Sequence, residues 1–352
     1  MFQFRLLRFV FCDNMRCVIL LQILFFGRLL GFAHNVTFKD YISQSHISSV
    51  AVYDVNGNLV GHSDMGGNIN LTKGQEYHVS HICYESKTFV CNDSNIVYLY
   101  PASYTISDVV VTAKMKKYYH FKAFFRSIEH VDSVLKYYMD GVCEFFIDTK
   151  TKKVKRGNVE TCYFMSKRQD VAQNKRGLMI NDRYMGLPYI EKESLFERTI
   201  NDKRKRIESG LVYADTTRIG TCEVSNDKND VILSLDVLYP KSCLTLNLFG
   251  YTQVLSKHNS TEVYRINNSA TPSVLDLKSF RNYRHLTLTH KKENYVRDID
   301  VEDVFFVVES KYTDTKEASS SERMMEDYKK YSVMYPLDSK IRAQLMEEQT
   351  QE

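Results

Sequence analysis

Residues 49–113 alternate short apolar runs with turn residues at a spacing of roughly ten residues, which is typical of an all-β sandwich. The pair Asn56–Gly57 predicts a tight hairpin, because both central positions of such a turn tolerate a positive φ. Further turns are predicted at 63–67 and at Lys73–Gly74. Residues 35–48 are polar and are interpreted as a lead-in to the first strand.

Five strand and turn segments of this region follow one another in chain order: 52–57, 63–67, 73–84, 96–100 and the closing Asp-Val-Val-Val-Thr-Ala at 108–113. Their order resembles the carboxypeptidase-regulatory-like domain, a transthyretin-like β-sandwich. The closing segment is similar to the junction that follows such a sandwich at the N-terminus of TonB-dependent outer-membrane receptors. The chain after Ala113 is too short for the plug and barrel of those receptors. A different second domain is therefore expected after a sandwich over 35–113.

Residues 114–313 are predicted to form an antiparallel sheet of the α+β type with a helical insertion. Long aromatic-rich strands are expected at 118–128, at 134–147 with an interruption at Asp140–Gly141, and at 159–166. A helix is predicted over 191–207. Further strands are predicted at 211–213, 218–224, 231–238, 262–266, 283–289 and 304–312, with a helical turn at 276–280. The overall fold class is mainly β.

Residues 314–352 form a polar tail, predicted to be partly helical and loosely packed. The Ser-rich stretch at 317–323 is interpreted as a linker. Short helices are expected at 324–331 and 337–348, the second capped by Asp338 or Ser339.

The N-terminus has the pattern of an export signal. We predict a signal peptide over 1–34, with Met15 as its start, an apolar run at 17–27 and small residues before His34. Arg28 interrupts the apolar stretch, so an uncleaved anchor is the alternative. These features predict an exported protein of the periplasm, outer membrane or cell surface.

Charge and cysteine content narrow the function classes. The net charge of +4 falls to about +1 beyond residue 34, too little for the basic face that nucleic acid requires. Six cysteines remain in the exported part: Cys83, Cys91, Cys143, Cys162, Cys222 and Cys243. An even count permits disulfides, whereas buried free thiols are the alternative. No zinc or thioredoxin-like spacing occurs among them.

Two sets of residues are candidate metal ligands, but neither is predicted to form a metal site. His290 and Glu293 match a His-x-x-Glu zinc pair, but no later histidine supplies a third ligand. On the strand predicted over 73–84, His81 and Cys83 share one face and His78 points to the other. No cofactor, metal-binding or catalytic residue is therefore assigned.

Three charged or aromatic features keep functional alternatives open. Asp298, Asp300, Glu302 and Asp303 are interpreted as an acidic loop between strands, with a hydrolase site in 116–312 as the alternative. The basic run 203–206 is interpreted as a solvated helix end, with weak attraction to an anionic membrane surface or glycan as the alternative. Adjacent aromatic pairs place one ring on each face of a strand, so either both faces are covered or one forms a ligand groove; the pairs are Tyr118–Tyr119, Phe124–Phe125, Tyr137–Tyr138 and Phe145–Phe146.

Together these features predict a non-catalytic protein with a binding or scaffolding role at the cell envelope. Its expected partners are an envelope protein, a lipid or a glycan, with peripheral membrane association and without nucleic acid. The alternative is a hydrolase whose carboxylates lie in residues 116–312.

Overall fold

A β-sandwich and a large antiparallel sheet make up most of the described part of the chain. The computed structural model describes residues 33–349 apart from 82, 93, 103–115, 167–182, 226–228, 249, 267–270 and 292–294. The predicted signal residues 1–32 and the closing segment 108–113 lie outside the described residues. The fold is mainly β, as predicted: a sandwich is followed by an α+β antiparallel-sheet domain with a helical insertion.

Two small sheets form the sandwich. Its strands are β1 (Ala33–Asp40), β2 (Ala51–Tyr53), β3 (Leu59–His62), β4 (Asn68–Thr72), β5 (Glu76–His81), β6 (Tyr84–Val90) and β7 (Ile96–Leu99). One sheet has the order β4-β1-β7 and the other the order β3-β2-β5-β6. Their facing side chains share one core, in which Phe38, Val52 and Val79 are fully buried.

The predicted turns of the sandwich are confirmed. Gly57 has φ +81°, and its N–H donates to the Asp54 carbonyl at 3.0 Å between β2 and β3. Gly67 has φ +77°, and a Cβ atom there would lie 2.7 Å from the Phe38 carbonyl oxygen. A side chain at this turn would therefore push β1 away, which accounts for glycine at position 67.

The predicted polar lead-in over 35–48 is wrong for its first residues. β1 occupies this region, pairing antiparallel with β4 and parallel with β7. Val36 and Phe38 alternate with polar neighbours and fill the core. The strand predicted over 73–84 is also divided, because β5 ends at His81 and β6 begins at Tyr84 as its hairpin partner.

The second domain contains eleven strands among its described residues. They are β8 (Tyr118–Val131), β9 (Val134–Asp148), β10 (Val154–Met165), β11 (Lys205–Glu208), β12 (Leu211–Ala214), β13 (Thr217–Val224), β14 (Asp230–Asp236), β15 (Leu244–Leu248), β16 (Tyr251–Arg265), β17 (Leu277–His290) and β18 (Tyr295–Thr313). They form one antiparallel sheet with the order β10-β9-β8-β18-β17-β16-β14-β13-β12-β11, and β15 pairs with β16. A short 3-10 helix, Val274–Asp276, precedes β17.

Both faces of this sheet are covered at its centre. On the face that we call the insertion face, Phe125, Phe145 and Phe305 join a large core with residues of the insertion between β10 and β11. On the opposite face, called the sandwich face, Ile128 and Tyr138 contact the sandwich. The predicted division of aromatic pairs between two faces is confirmed, and each face has its own cover.

β9 is continuous, so the interruption predicted at Asp140–Gly141 is wrong. A Cβ atom at Gly141 would lie 2.2 Å from the Glu160 carbonyl oxygen and 3.0 Å from the Phe125 ring. Glycine is therefore required here for the close approach of β9 to β10 and to the Phe125 ring.

The helix predicted over 191–207 is much shorter. α1 (Leu195–Asn201) begins at a capping box in which the Glu197 N–H donates to the Ser194 hydroxyl at 3.0 Å. After a turn, β11 pairs with β12, which gives the backbone of 205–208 its hydrogen-bond partners. The basic run 203–206 therefore lies at a turn and the start of a strand rather than at a helix end.

The tail is packed against the sandwich face and is not loose. It contains α2 (Ser321–Met334) and α3 (Ser339–Gln349). Met324, Tyr331 and Tyr335 are at least 97% buried against the Phe124–Phe306 region of the sheet. Ile341 is buried between the sandwich and the sheet. The predicted cap of the last helix is confirmed, because the Lys340 N–H donates to the Asp338 carboxylate at 2.8 Å.

The six cysteines of the described chain are free thiols. Cys143 pairs with Val159 in the β9–β10 register, so Cys162 is displaced from it by three residues. No helix in the described part of the chain is long and apolar enough to cross a membrane.

Candidate functional site

Polar side chains line up across the insertion face where four strands lie side by side. Directly paired residues of antiparallel strands point to the same face. One such row across β16, β17, β18 and β8 consists of Ser260, Asn282, Asp303 and Ser127. The next row on one side consists of His258, Arg284, Val301 and Glu129, and the next on the other side consists of Glu262, Phe280, Phe305 and Phe125.

The insertion forms a roof over these rows. At the start of its described part, the N–H groups of Tyr184 and Met185 donate to the Glu129 carboxylate at 2.7 and 2.8 Å. At the start of α1, the Leu195 N–H donates to the Glu262 carboxylate at 3.2 Å. The described insertion is thus held at two points by carboxylates that the sheet supplies.

A cavity of about 350 Å³ lies between the roof and the sheet. Its polar side is the row through Ser260 and Asn282, with His258 and Arg284 beside it. Its apolar side is formed by side chains of the sheet, the 3-10 helix and the roof: Phe280, Leu277, Val274, Ile190 and Leu195. This volume and amphipathic lining are within the range of small-molecule sites.

Glu262 is the most perturbed acid of the cavity. Burial raises the pKa of its carboxyl group to about 7, although the hydrogen bond from the Leu195 N–H and the charge of Arg198 both act to lower that pKa. The Tyr264 hydroxyl also hydrogen bonds to this carboxyl group, and in turn accepts the Phe196 N–H at 3.3 Å. Glu262 is therefore partly protonated near neutral pH, and its partners are backbone and phenol groups of the roof and sheet.

Asp303 is held by two neighbours. Its carboxylate accepts from the Arg284 guanidinium at 2.7 Å and from the Ser127 hydroxyl at 2.5 Å. Burial raises the pKa of Asp303 in spite of Arg284. Arg284 also donates to the Tyr184 carbonyl at 3.3 Å, so this ion pair contributes to holding the roof.

Three polar groups of the cavity make no side-chain hydrogen bond to another described residue. They are Ser260, Asn282 and His258. Ser260 is only 6% exposed, and burial lowers the pKa of His258 to about 4, with Arg284 and Arg198 adding to the effect. The imidazole is therefore neutral at neutral pH.

A second cavity, of about 510 Å³, lies between the sandwich, the sandwich face and the tail. Beside it, Arg281 is 1% exposed, and it donates to the Glu302 carboxylate at 2.8 Å and to the Ser49 carbonyl. His62 lies 3.7 Å from Glu302 and stacks on Tyr283 with ring centroids 3.6 Å apart. These contacts join the sandwich to the sheet through buried ionisable groups.

The acidic residues predicted as a loop lie inside β18 instead. Asp303 faces the cavity, whereas Asp300 and Glu302 point to the sandwich face. Asp300 accepts from the Tyr283 hydroxyl at 2.6 Å and from His285 at 2.9 Å. These carboxylates are paired across strands, which explains how a charged run can form a buried strand.

The candidate metal ligands do not form a metal site. Among the described residues, no group of three or more His, Cys, Asp or Glu side chains could hold a metal ion. His290 ends β17 and lies against the Tyr251 ring, while Glu293 is outside the described residues. His78 and His81 both line the second cavity, as does Ser80 between them. The β5–β6 register shifts after Val79, which pairs with Lys87, and His81 pairs with Tyr84, so the extra residue lies in β6.

Sequence reasoning missed the residues of the roofed cavity. β16 begins at Tyr251, whereas the predicted strand began only at Glu262. The polar run 258–262 hid the strand, because its inward residues are polar rather than apolar. The available signal was the alternation of His258, Ser260 and Glu262, which places all three on one face.

Comparison with known proteins adds little. No protein-family model matches the sequence, and no curated protein matches it. A solved structure described as "Lipid-protein interactions in lipovitellin" is similar over 59% of this chain and 27% of that chain, with 12% identity and a TM-score of 0.29. The match thus spans about a quarter of the lipovitellin chain, and at this TM-score it bears on neither fold nor ligand.

Proposed function

We propose that this protein binds a small ligand in the roofed cavity, as an exported and non-catalytic protein of a Gram-negative cell envelope. The observation that carries the binding role is a 350 Å³ cavity with an apolar side and a polar row. In that row, Ser260 and Asn282 make no side-chain hydrogen bond to another described residue. The export signal pattern at 1–34 and the resemblance of 35–113 to a carboxypeptidase-regulatory-like domain support the location. The sandwich then serves as the scaffolding module.

A hydrolase is the second candidate, because Glu262 has the pKa of about 7 that suits a general acid. The contacts of the two cavity carboxyl groups favour binding. Glu262 accepts from groups of the roof and the sheet, and Asp303 accepts from Arg284 and Ser127. Both carboxyl groups are thus engaged in holding the fold together.

Native mass spectrometry of protein purified from its own envelope tests the proposal. Wild-type protein is expected to carry an added small-molecule mass that denaturation releases. Ser260→Phe should abolish the added mass by filling the cavity. Ser256→Phe is the matched control, because Ser256 is exposed on the same strand and does not line the cavity. Equal ligand content in both variants would contradict the proposal.

The enzyme alternative has its own test. Glu262→Gln and Asp303→Asn should leave any measured hydrolysis of glycosides or esters by the purified protein unchanged, if the protein is non-catalytic. A loss of turnover of more than about a hundred-fold in either variant would establish the hydrolase instead.

A further inference from the structure

We infer that the roofed cavity takes an uncharged, hydroxyl-rich small molecule, of the chemical class of a neutral sugar. This inference rests on the proposed binding function and specifies its ligand. Three features support it: polar groups that bond to no other described side chain, the balance of charge around those groups, and the apolar surface beside them.

The unengaged groups can each donate and accept a hydrogen bond. A serine hydroxyl, an asparagine amide and a neutral imidazole all have this property, as does a ligand hydroxyl. Ser260 and Asn282 are direct partners in the β16–β17 register, and His258 lies one row further along β16. Ser260 is 94% buried, and its hydroxyl makes no hydrogen bond to another described residue. A hydroxylated ligand would satisfy all three groups at once.

Charge in the cavity disfavours an ionic ligand. An anion near this row would approach the carboxyl groups of Glu262 and Asp303. A cation would approach Arg284 and Arg198, and both of these arginines already lower the pKa of His258. Since both signs of charge line the cavity and His258 is neutral, an uncharged ligand avoids repulsion from either set.

The apolar side of the cavity and its volume suit a single sugar ring. Phe280 stacks on Phe305 with ring centroids 4.7 Å apart, and it presents an apolar surface to the cavity together with Leu277 and Val274. The C–H face of a sugar can pack on such a surface while its hydroxyl groups meet the polar row. A volume of about 350 Å³ is at the small end of the range of ligand pockets, which suits a ligand of the size of one sugar ring.

Saturation-transfer NMR and calorimetric titration of the full chain test the inference. The probes are D-glucose, D-galactose and N-acetylglucosamine as neutral sugars, with D-glucuronate, D-glucosamine and hexanoate as anionic, cationic and apolar counterparts. At least one neutral sugar is expected to bind saturably and more tightly than every counterpart. Ser260→Ala and Asn282→Ala should each weaken its binding by about five-fold, the effect of one hydrogen bond. Ser256→Ala should leave it unchanged.

Three results would overturn the inference: no neutral sugar binds, a counterpart binds more tightly, or the two cavity variants bind the sugar like wild type. Circular dichroism confirms that each variant is folded before titration. Failure of the ligand class is distinguishable from failure of the binding function. In the first case native mass spectrometry still shows a Ser260-dependent added mass, and in the second it shows none.

Discussion

Several ionisable side chains of this protein lie where burial disfavours their charged form. Glu262 is the clearest example, because it is half-buried and links the sheet to the start of α1. A carboxyl group whose pKa is raised on folding keeps its proton above the pH at which the unfolded chain loses it. Its contribution therefore destabilises the fold progressively as pH rises from about 4.5 to about 7.

Glu262→Gln should remove this penalty while keeping an oxygen that accepts from Leu195 and Tyr264. The variant is expected to gain stability relative to wild type between pH 5 and pH 8, by about 2–3 kcal/mol. Urea denaturation at the two pH values measures the difference. A constant offset between variant and wild type across this range would show that Glu262 titrates normally.

Gly141 carries a second residue-scale prediction. Gly141→Ala would place a methyl group against the Glu160 carbonyl and the Phe125 ring, so β9 and β10 must separate. We expect a loss of at least about 2 kcal/mol in the free energy of unfolding, measured by chemical denaturation. Gly186→Ala is the control, because nothing lies within 4 Å of the added Cβ there. Equal stability of the two variants would contradict the steric argument.

At the scale of elements, two carboxylates of the large sheet hold the segments that cover its faces. Glu129 accepts the backbone N–H groups of Tyr184 and Met185 in the roof. Glu144 accepts the Ser319 N–H at 2.9 Å and its hydroxyl at 2.6 Å, just before α2. Burial acts to raise the pKa of Glu144, but hydrogen bonds from His120 and Ser319 hold it at about 2.

The two anchors give a reciprocal prediction, because each covers a different face. Glu129→Ala should increase amide hydrogen exchange at Tyr184 and Met185 by more than ten-fold while leaving Ser319 unchanged. Glu144→Ala should do the opposite. Exchange followed by mass spectrometry with peptide-level resolution reads both regions in one experiment. Equal loosening of both segments by either variant would mean that the substitution destabilises the whole sheet.

The elements themselves show what the sequence allows one to predict. Strands with apolar alternation, such as β7, β12 and β13, were expected close to where they lie, and the glycine turns of the sandwich followed from their need for positive φ. The sequence did not predict β1 or the first part of β16, because many of their residues are polar and the apolar alternation of a strand is weak there. The roofed cavity was missed with them, since its side chains come together only through the registers of β16, β17 and β18.

On the scale of the whole molecule, the sandwich and the large sheet meet through buried ionisable side chains. Burial lowers the pKa of His130 to about 4, and it also lowers those of His62 and His81. Burial acts to raise the pKa of Glu302, but Arg281 and His62 outweigh it and hold that pKa below its usual value. Asp300 behaves in the same way, through His285 and Tyr283. Near neutral pH the three histidines are therefore neutral and carry no penalty for burial, while the two carboxylates are charged and stabilise the assembled state.

Acid should therefore weaken this interface from several directions at once. A histidine kept neutral by burial binds a proton more weakly in the folded state than in the unfolded chain, so stability falls as pH drops from about 6.5 to about 4. The lowered carboxyl groups lose their contribution as pH falls further, while Glu262 and Asp303 oppose the trend through their raised pKa values. At the sandwich–sheet interface itself, the histidines set the trend between pH 7 and pH 5, because the paired carboxylates still hold their charge there.

His130→Phe tests one histidine of this set. His130 is 2% exposed and its ring centroid lies 5.8 Å from that of Tyr53. The substitution replaces it with a ring that does not titrate. Wild-type protein should lose about 2 kcal/mol more stability than the variant between pH 7 and pH 5, measured by urea unfolding at each pH. His285→Phe is the contrasting control, because hydrogen bonding to Asp300 raises the pKa of His285. A raised histidine contributes stability below its unfolded pKa, so this variant should lose stability at pH 5 relative to wild type. If both variants changed the pH dependence in the same direction, burial at the sandwich–sheet interface would not be what sets the charge state of His130.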